Sequence, residues 1–153
     1  MITHLLDTSA WLAHLQREPG WKTVGEILAD ADTAVGISVL SLIELHARLR
    51  FLGDEHKFGP IVEDYGELFA QIIPVDEAIV LRAIAQREAA AARVPAIAAL
   101  IAATAAHHAA ALVHRDPHLA TLPGEAVAQV VIGREEQHAD DADLALIRAA
   151  QNR

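Results

Sequence analysis

Three acids stand where apolar runs give way to helix or turn signals: Asp7 after residues 2–6, Glu44 in the segment following 33–37, and Asp116 after 109–113. Each has an ordinary structural duty. Asp7, Thr8 or Ser9 can cap a helix. Ser41 through Glu44 matches a capping box, and Glu44 can pair with Arg48 one turn on for about 0.2–0.5 kcal/mol. Asp116-Pro117 is a common turn signal. Taken singly, these duties are the better reading. Taken together, the acids point elsewhere: if the three runs are parallel strands, all three reach the crevice beyond the strands' carboxyl ends. Two carboxylates about 5 Å apart repel by roughly 3 kcal/mol at an effective dielectric of about 20, so such a cluster wants a cation. Oxygen donors alone select hard divalent ions, Mg²⁺ or Mn²⁺. An ion held this way orients a water for in-line attack on a phosphodiester.

A parallel sheet would bring these acids together, and the chain has the pattern for one. Residues 2–6 read as a short buried strand, and residue 10 onward as a helix. Pro19-Gly20 marks a turn, and residues 21–30 return as a second helix to make a hairpin. Residues 33–37 suit a strand. Ser38 or Ser41 then opens a helix in which Leu42, Leu45, Leu49 and Leu52 recur at helical spacing. Gly53, Gly59 and Pro60 bound a polar loop before a helix over 61–69 and a strand over 71–75. Asp76 is placed to cap a helix over 77–92, which Arg93-Val94-Pro95 breaks. Pro95 suits the first turn of the next helix, over 96–106, which lacks any charged residue and should be buried nearly all round. Strands over 109–113 and 126–132 follow. Strands alternating with helices imply right-handed crossovers and a sheet covered on both faces. The expected fold is α/β: a single-domain three-layer α/β/α sandwich with a parallel sheet of four or five strands over residues 1–132. Residues 133–153 are expected to add a helical tail, with Asp140, Asp141 and Asp143 ahead of an apolar segment and Arg148 near its end.

A length of 153 residues fits one domain with a sizeable core, and at 53% apolar residues disorder is not the default. With no cysteine, disulfide frameworks, thiol catalysis and cysteine-ligated zinc are excluded, and a reducing cytoplasm suits the chain. His4 and Asp7 interrupt the first apolar run, which argues against a secretion signal. The longest uncharged stretch, residues 94–113, reads as a buried helix and a strand, not a membrane span. A formal charge of −9 argues against a broad basic surface for nucleic acid, so any nucleic-acid chemistry must be local. The same balance suits carboxylates that hold cations, or a basic partner protein.

Four ordered segments carry a resemblance: Leu5-Leu6-Asp7-Thr8-Ser9, residues 37–45 ending Ile43-Glu44-Leu45, Ala99-Leu100-Ile101-Ala102-Ala103-Thr104-Ala105, and Leu112-Val113-His114-Arg115-Asp116. In order and spacing, from residue 2 to about 132, they resemble the motifs of PIN domains, with a particular likeness to VapC toxins of VapBC toxin–antitoxin pairs. The resemblance implies a Mg²⁺- or Mn²⁺-dependent endoribonuclease that forms homodimers and is silenced by a cognate, VapB-like antitoxin. On the matching positions Asp7, Glu44 and Asp116 would be the catalytic, metal-binding carboxylates. Thr8 or Ser9 would supply a hydroxyl that supports them. Apart from the resemblance, Arg115 beside the last acid is a candidate for phosphate contact with RNA. One position departs from the pattern: Ala98 stands where the family usually has an aspartate. Two origins are open, a naturally degenerate site or a deliberate Asp→Ala change that lets a toxic enzyme be produced, and the three intact motifs favour the second. Either way cleavage by this chain should be impaired. A binding module that recognises antitoxin or RNA without cutting is the alternative. His118 is a second departure, in a neighbourhood where relatives often carry another acid.

Other signals fit less well. A haloacid-dehalogenase-type phosphatase wants Asp-x-Asp where this chain has Ser9, and a phospho-receiver wants a lysine near the last strand, whereas the only lysines are Lys22 and Lys57. His114 and His118 have the spacing of two zinc ligands on one helical turn, but Asp116-Pro117 between them is a turn signal that argues against a helix there. Trp11, Trp21 and Leu15 suit either core or a groove for a partner helix. Arg82, Arg87 and Arg93 are candidates for phosphate contact, with a solvated face at least as good a reading.

Overall fold

Five short apolar runs pair as strands in the computed structural model, which describes residues 1–134 and 146–151. They are β1 (His4–Leu6), β2 (Val35–Ser38), β3 (Gln71–Ile73), β4 (Ala111–His114) and β5 (Gln129–Val131). All pairings are parallel and the order is β3-β2-β1-β4-β5. The chain builds outward from β1 on one side, then crosses over and builds outward on the other. Leu6 pairs with Ile37 of β2 and with Val113 of β4, so these strands end at one edge, and the order reverses at β1. That edge is where a parallel sheet opens a crevice.

Between residues 1 and 134 the sheet is covered by the helices α1 (Thr8–Gln16), α2 (Trp21–Ala29), α3 (Leu40–Phe51), α4 (Phe58–Gly66), α5 (Glu77–Ala89) and α6 (Ala96–His107). Successive side chains of a strand point to opposite faces. Leu5 therefore joins Ile79, Ile101, Ala102 and Leu112 in a core under α5 and α6, while Leu6 joins Trp11, Val24, Leu45 and Tyr65 in a second core under α1 to α4. Buried strands and two covered faces give the three-layer α/β/α sandwich. In β2 a Cβ on Gly36 would stand 3.1 Å from Cγ2 of Ile2 and 3.2 Å from the Gln71 carbonyl oxygen, so only glycine lets its neighbours pack this closely.

Most element assignments agree with the pattern, and the differences have local causes. The expected polar loop before residue 61 is shorter: a 3₁₀ turn spans Glu55–Lys57, and α4 already begins at Phe58. Gly59 and Pro60 lie in its first turn, where the missing proline N–H has no helical partner to lose. Ser41 is not a cap. Helix α3 starts at Leu40, whose amide donates to Ser38 Oγ at 3.1 Å, and Ser41 is buried inside the helix. Asp76 does cap α5, its Oδ1 accepting from the Ile79 amide at 3.0 Å, but α5 stops at Ala89. Pro95 is the N-cap of α6, not a residue of its first turn. Strand β4 is shifted to include His114, and β3 and β5 are shorter than the apolar runs containing them. In the tail, residues 146–151 are helical, while Asp140, Asp141 and Asp143 lie outside the described residues. Among the described residues no helix is long and apolar enough to cross a membrane.

Candidate functional site

Asp7 is both the residue after β1 and the N-cap of α1. Its backbone amide donates to the Val113 carbonyl at 2.9 Å, which carries the β1–β4 pairing up to the acid. The side chain is buried, and its Oδ2 accepts from the Ser9 amide at 3.1 Å and the Ser9 hydroxyl at 2.6 Å. Burial pushes its pKa above the ordinary carboxylate value. The Ser9 bonds act against that, and the charge of Asp116 adds to it.

Thr8 links two helices. Its hydroxyl oxygen lies 2.6 Å from Glu44 Oε1 and 2.9 Å from Ser41 Oγ. Glu44, in the second turn of α3, is therefore held by Thr8 and forms neither the capping box nor the Arg48 pair. Its pKa is also raised: burial first, with Thr8 opposing and the charges of Asp7 and Asp116 adding. Asp116 follows β4, and its Oδ1 accepts from the His118 amide at 2.9 Å and lies 3.0 Å from His118 Nδ1.

The structure thus brings together all three acids that the sequence singled out. Asp7, Thr8, Ser9, Glu44 and Asp116 line one open cavity of about 260 Å³ with Leu12 and Ala98. Ala98 reaches it from α6, so the methyl group stands on the wall of the same cavity. Each carboxylate uses one oxygen for the bonds just given, and its other oxygen has no hydrogen-bond partner among the described residues. That donor set suits a hard cation. Among the described residues, however, no three acidic or histidine side chains close into a ready-made cage. The acids line a cavity without converging on one point.

Arg115 is the candidate whose side chain is otherwise engaged. Its amide donates to Ser9 Oγ at 3.1 Å, but its guanidinium Nη2 is paired with Glu18 Oε2 at 2.8 Å. It lines a neighbouring cavity of about 440 Å³ that shares Asp116 with the first. Arg87 donates through Nε to the Val94 carbonyl, and Arg82 and Arg93 are exposed, away from both cavities. Trp11 is core, edge-on to Tyr65 and Phe69, while Trp21 is half-buried under the cationic groups of Arg17 and Lys22. His114 and His118 do not share a metal-like site, since both ring nitrogens of His114 are bonded within the protein. Pattern reasoning missed Glu18 and the role of His114. The signal available for His114 was a polar residue closing an otherwise apolar strand two positions before an acid.

The fold has counterparts. VapBC2 from Rickettsia felis, solved bound to a DNA fragment from its promoter, superposes with a TM-score of 0.69 at 17% identity, over 86% of this chain and 99% of that one. VapBC-5 from Mycobacterium tuberculosis, a member of the VapBC family of toxin–antitoxin systems, gives 0.62 at 22%, over 86% and 99%. FitAcB from Neisseria gonorrhoeae gives 0.60 at 26%, over 83% and 96%. No curated protein matches the chain. Residues 4–125 match the PIN domain family, a span that runs from β1 past Asp116 and holds every acid of the cavity; the chain belongs to the PIN domain family.

Proposed function

We propose that this protein is the toxin of a toxin–antitoxin pair, built as a metal-dependent endoribonuclease, with Asp7, Glu44 and Asp116 as its catalytic and metal-binding carboxylates. The observation that carries the reading is that three acids from three separate elements wall one cavity, where burial and the charge of Asp116 raise the proton affinity of Asp7 and of Glu44, each acid leaving one oxygen without a partner among the described residues. Structures built for stability alone do not gather like charges in a half-buried hollow. Mg²⁺ or Mn²⁺, when bound, would lower the pKa of a water and neutralise charge on the phosphodiester. The chain's own residues supply the rest. Ser9 turns Asp7 toward a fixed orientation, Thr8 does so for Glu44, and His118 for Asp116. The low exposure of Asp7 strengthens every charge interaction in the cavity. Arg115 would reach RNA only by leaving Glu18, which makes it a contact on the approach to the site.

Ala98 limits this chemistry. A carboxylate is absent from one wall, and cation affinity should fall by at least the 10–100-fold seen when a supporting group is lost. A second reading rests on that residue: a PIN-like module that retains antitoxin or RNA recognition without cutting. The VapBC complexes among the structural counterparts support an antitoxin as partner. Exposed Ile43 and Phe51 on α3 and Leu81 and Ile84 on α5 support self-association into a homodimer. We place the protein in the cytoplasm, where a chain without cysteine meets RNA.

The test is RNA cleavage with Mn²⁺ or Mg²⁺ and with chelator. It compares this chain, Ala98→Asp, and Ala98→Asp carrying Asp7→Ala. Metal-dependent cutting that appears with Ala98→Asp and vanishes with Asp7→Ala is the expected result. No cleavage of a varied RNA panel by any form would move the assignment to the binding module.

A further inference from the structure

His114 is fully buried at the last position of β4, two residues before Asp116, and does not line the acidic cavity. Its Nδ1 accepts the backbone amide of Asp116 at 3.1 Å. Its Nε2 lies 2.8 Å from Oε1 of Gln129 on β5, and Nε2 of Gln129 donates to the Leu122 carbonyl at 3.2 Å. A nitrogen that accepts an N–H carries the lone pair, so the ring proton sits on Nε2 and is donated to Gln129. The bonds form one directed chain: Asp116 amide to His114, His114 to Gln129, Gln129 to Leu122, the residue that closes the 3₁₀ turn Leu119–Thr121. None of them touches a carboxylate oxygen. What they hold is the backbone from which the Asp116 side chain departs, tied to β5 and to the turn beyond it. A ring with both nitrogens engaged and no exposure is not a general base or an open metal ligand.

We propose that His114 is a positioning residue: its Nδ1 lone pair, by holding the Asp116 amide, sets where the Asp116 carboxylate stands and thereby the cation affinity of the cavity. This rests on the cation site proposed above. The bond from a side-chain acceptor to the amide two residues on is the one that asparagine makes in an Asx turn. Asparagine at 114 keeps an acceptor near the place of Nδ1, whereas glutamine puts its amide near the place of Nε2 and leaves the Asp116 amide without its partner. His114→Asn and His114→Gln therefore separate the two halves of the ring.

Two measurements test it. In the ¹⁵N-labelled, metal-free chain, a scalar coupling across the N–H···N bond should connect the Asp116 amide nitrogen to His114 Nδ1; its absence overturns the proposal whatever the cation does. Mn²⁺ titration, read from the paramagnetic signal of free ion, should then give affinity in the present chain and in Ala98→Asp, each with and without the two substitutions. His114→Gln should weaken Mn²⁺ binding by about 10-fold or more, while His114→Asn stays near its parent. Both should lower the melting temperature, because both hollow a buried position. Matched losses of stability with unmatched affinities mark positioning; equal weakening by both substitutions would refute it. Absence of Mn²⁺ binding in every form overturns the cation reading and the role of His114 with it, while the coupling still reports whether the clamp exists.

Discussion

Burial and the neighbouring charge of Asp116 make the ionised carboxylate of Asp7 unfavourable, and Ser9 is the group that offsets this most directly, donating twice to one oxygen. Ser9 also accepts the Arg115 amide, so one hydroxyl joins the acid after β1 to the loop after β4. Ser9→Ala should cost about 1–2 kcal/mol of stability in urea denaturation. In the Ala98→Asp protein it should also reduce Mn²⁺ affinity about 10–100-fold. Unchanged affinity would mean that Asp7 is oriented by its backbone alone. At position 98 the effect is repulsion. An aspartate there adds a fourth like charge to the cavity wall, so Mn²⁺ should raise the melting temperature of Ala98→Asp more than that of the present chain. Equal gains would count against a carboxylate cluster that includes this wall.

Helix α1 is held to α4 by a polar contact inside an aromatic cluster: His14 Nδ1 lies 2.6 Å from the Tyr65 hydroxyl, and the two rings meet edge-on. Burial lowers the pKa of His14 below 6.5 and pushes that of Tyr65 up to about 12, so the neutral phenol donates to the neutral imidazole. Below pH 6.5 the unfolded chain takes up a proton at His14 before the folded chain does. Its contribution to stability is therefore present above that value and lost as pH falls through the window between the unfolded and folded pKa. Urea midpoints of the present chain should drop more steeply below pH 6.5 than those of His14→Gln; parallel curves would show that the contact does not discriminate protonation states. Helix α6 makes a different kind of contact. It buries Ile101, Ala102, Ala103 and Ala105 fully in the core it shares with α5, and Ile101→Ala should cost about 2–5 kcal/mol.

Across the whole molecule, β1 couples the two cores, because Leu5 and Leu6 are adjacent in the chain and bury into opposite ones. Loss of either core leaves a central strand half uncovered. Tryptophan fluorescence, from Trp11 in one core and Trp21 on α2 beside it, should therefore report unfolding at the same urea concentration as far-UV circular dichroism, and Leu5→Ala in the other core should shift both together. Separate transitions would mean that the two faces fold independently. Much of this architecture was legible in the residues. Apolar runs punctuated by Pro, Gly and capping residues marked four or five strands with helices between them, because burial and local sterics act within a few residues. The acids at the ends of three runs marked an edge where chemistry could collect. Boundaries were less legible: α4 starts three residues early, since a proline in a first helical turn costs no hydrogen bond, and the pattern alone reads it as a break. The partners of the acids lay beyond reach. Thr8 chooses Glu44 over the nearer capping alternatives across 36 positions, and Ser9 receives the Arg115 amide across 106. By itself the sequence determined the alternation of elements, the parallel sheet and the identity of the three acids, all of which follow from local pattern. The tertiary structure decided that those acids share one cavity with Ala98, that Arg115 is paired with Glu18, and that His114 holds the Asp116 backbone, because strand order and register juxtapose groups that no local spacing relates.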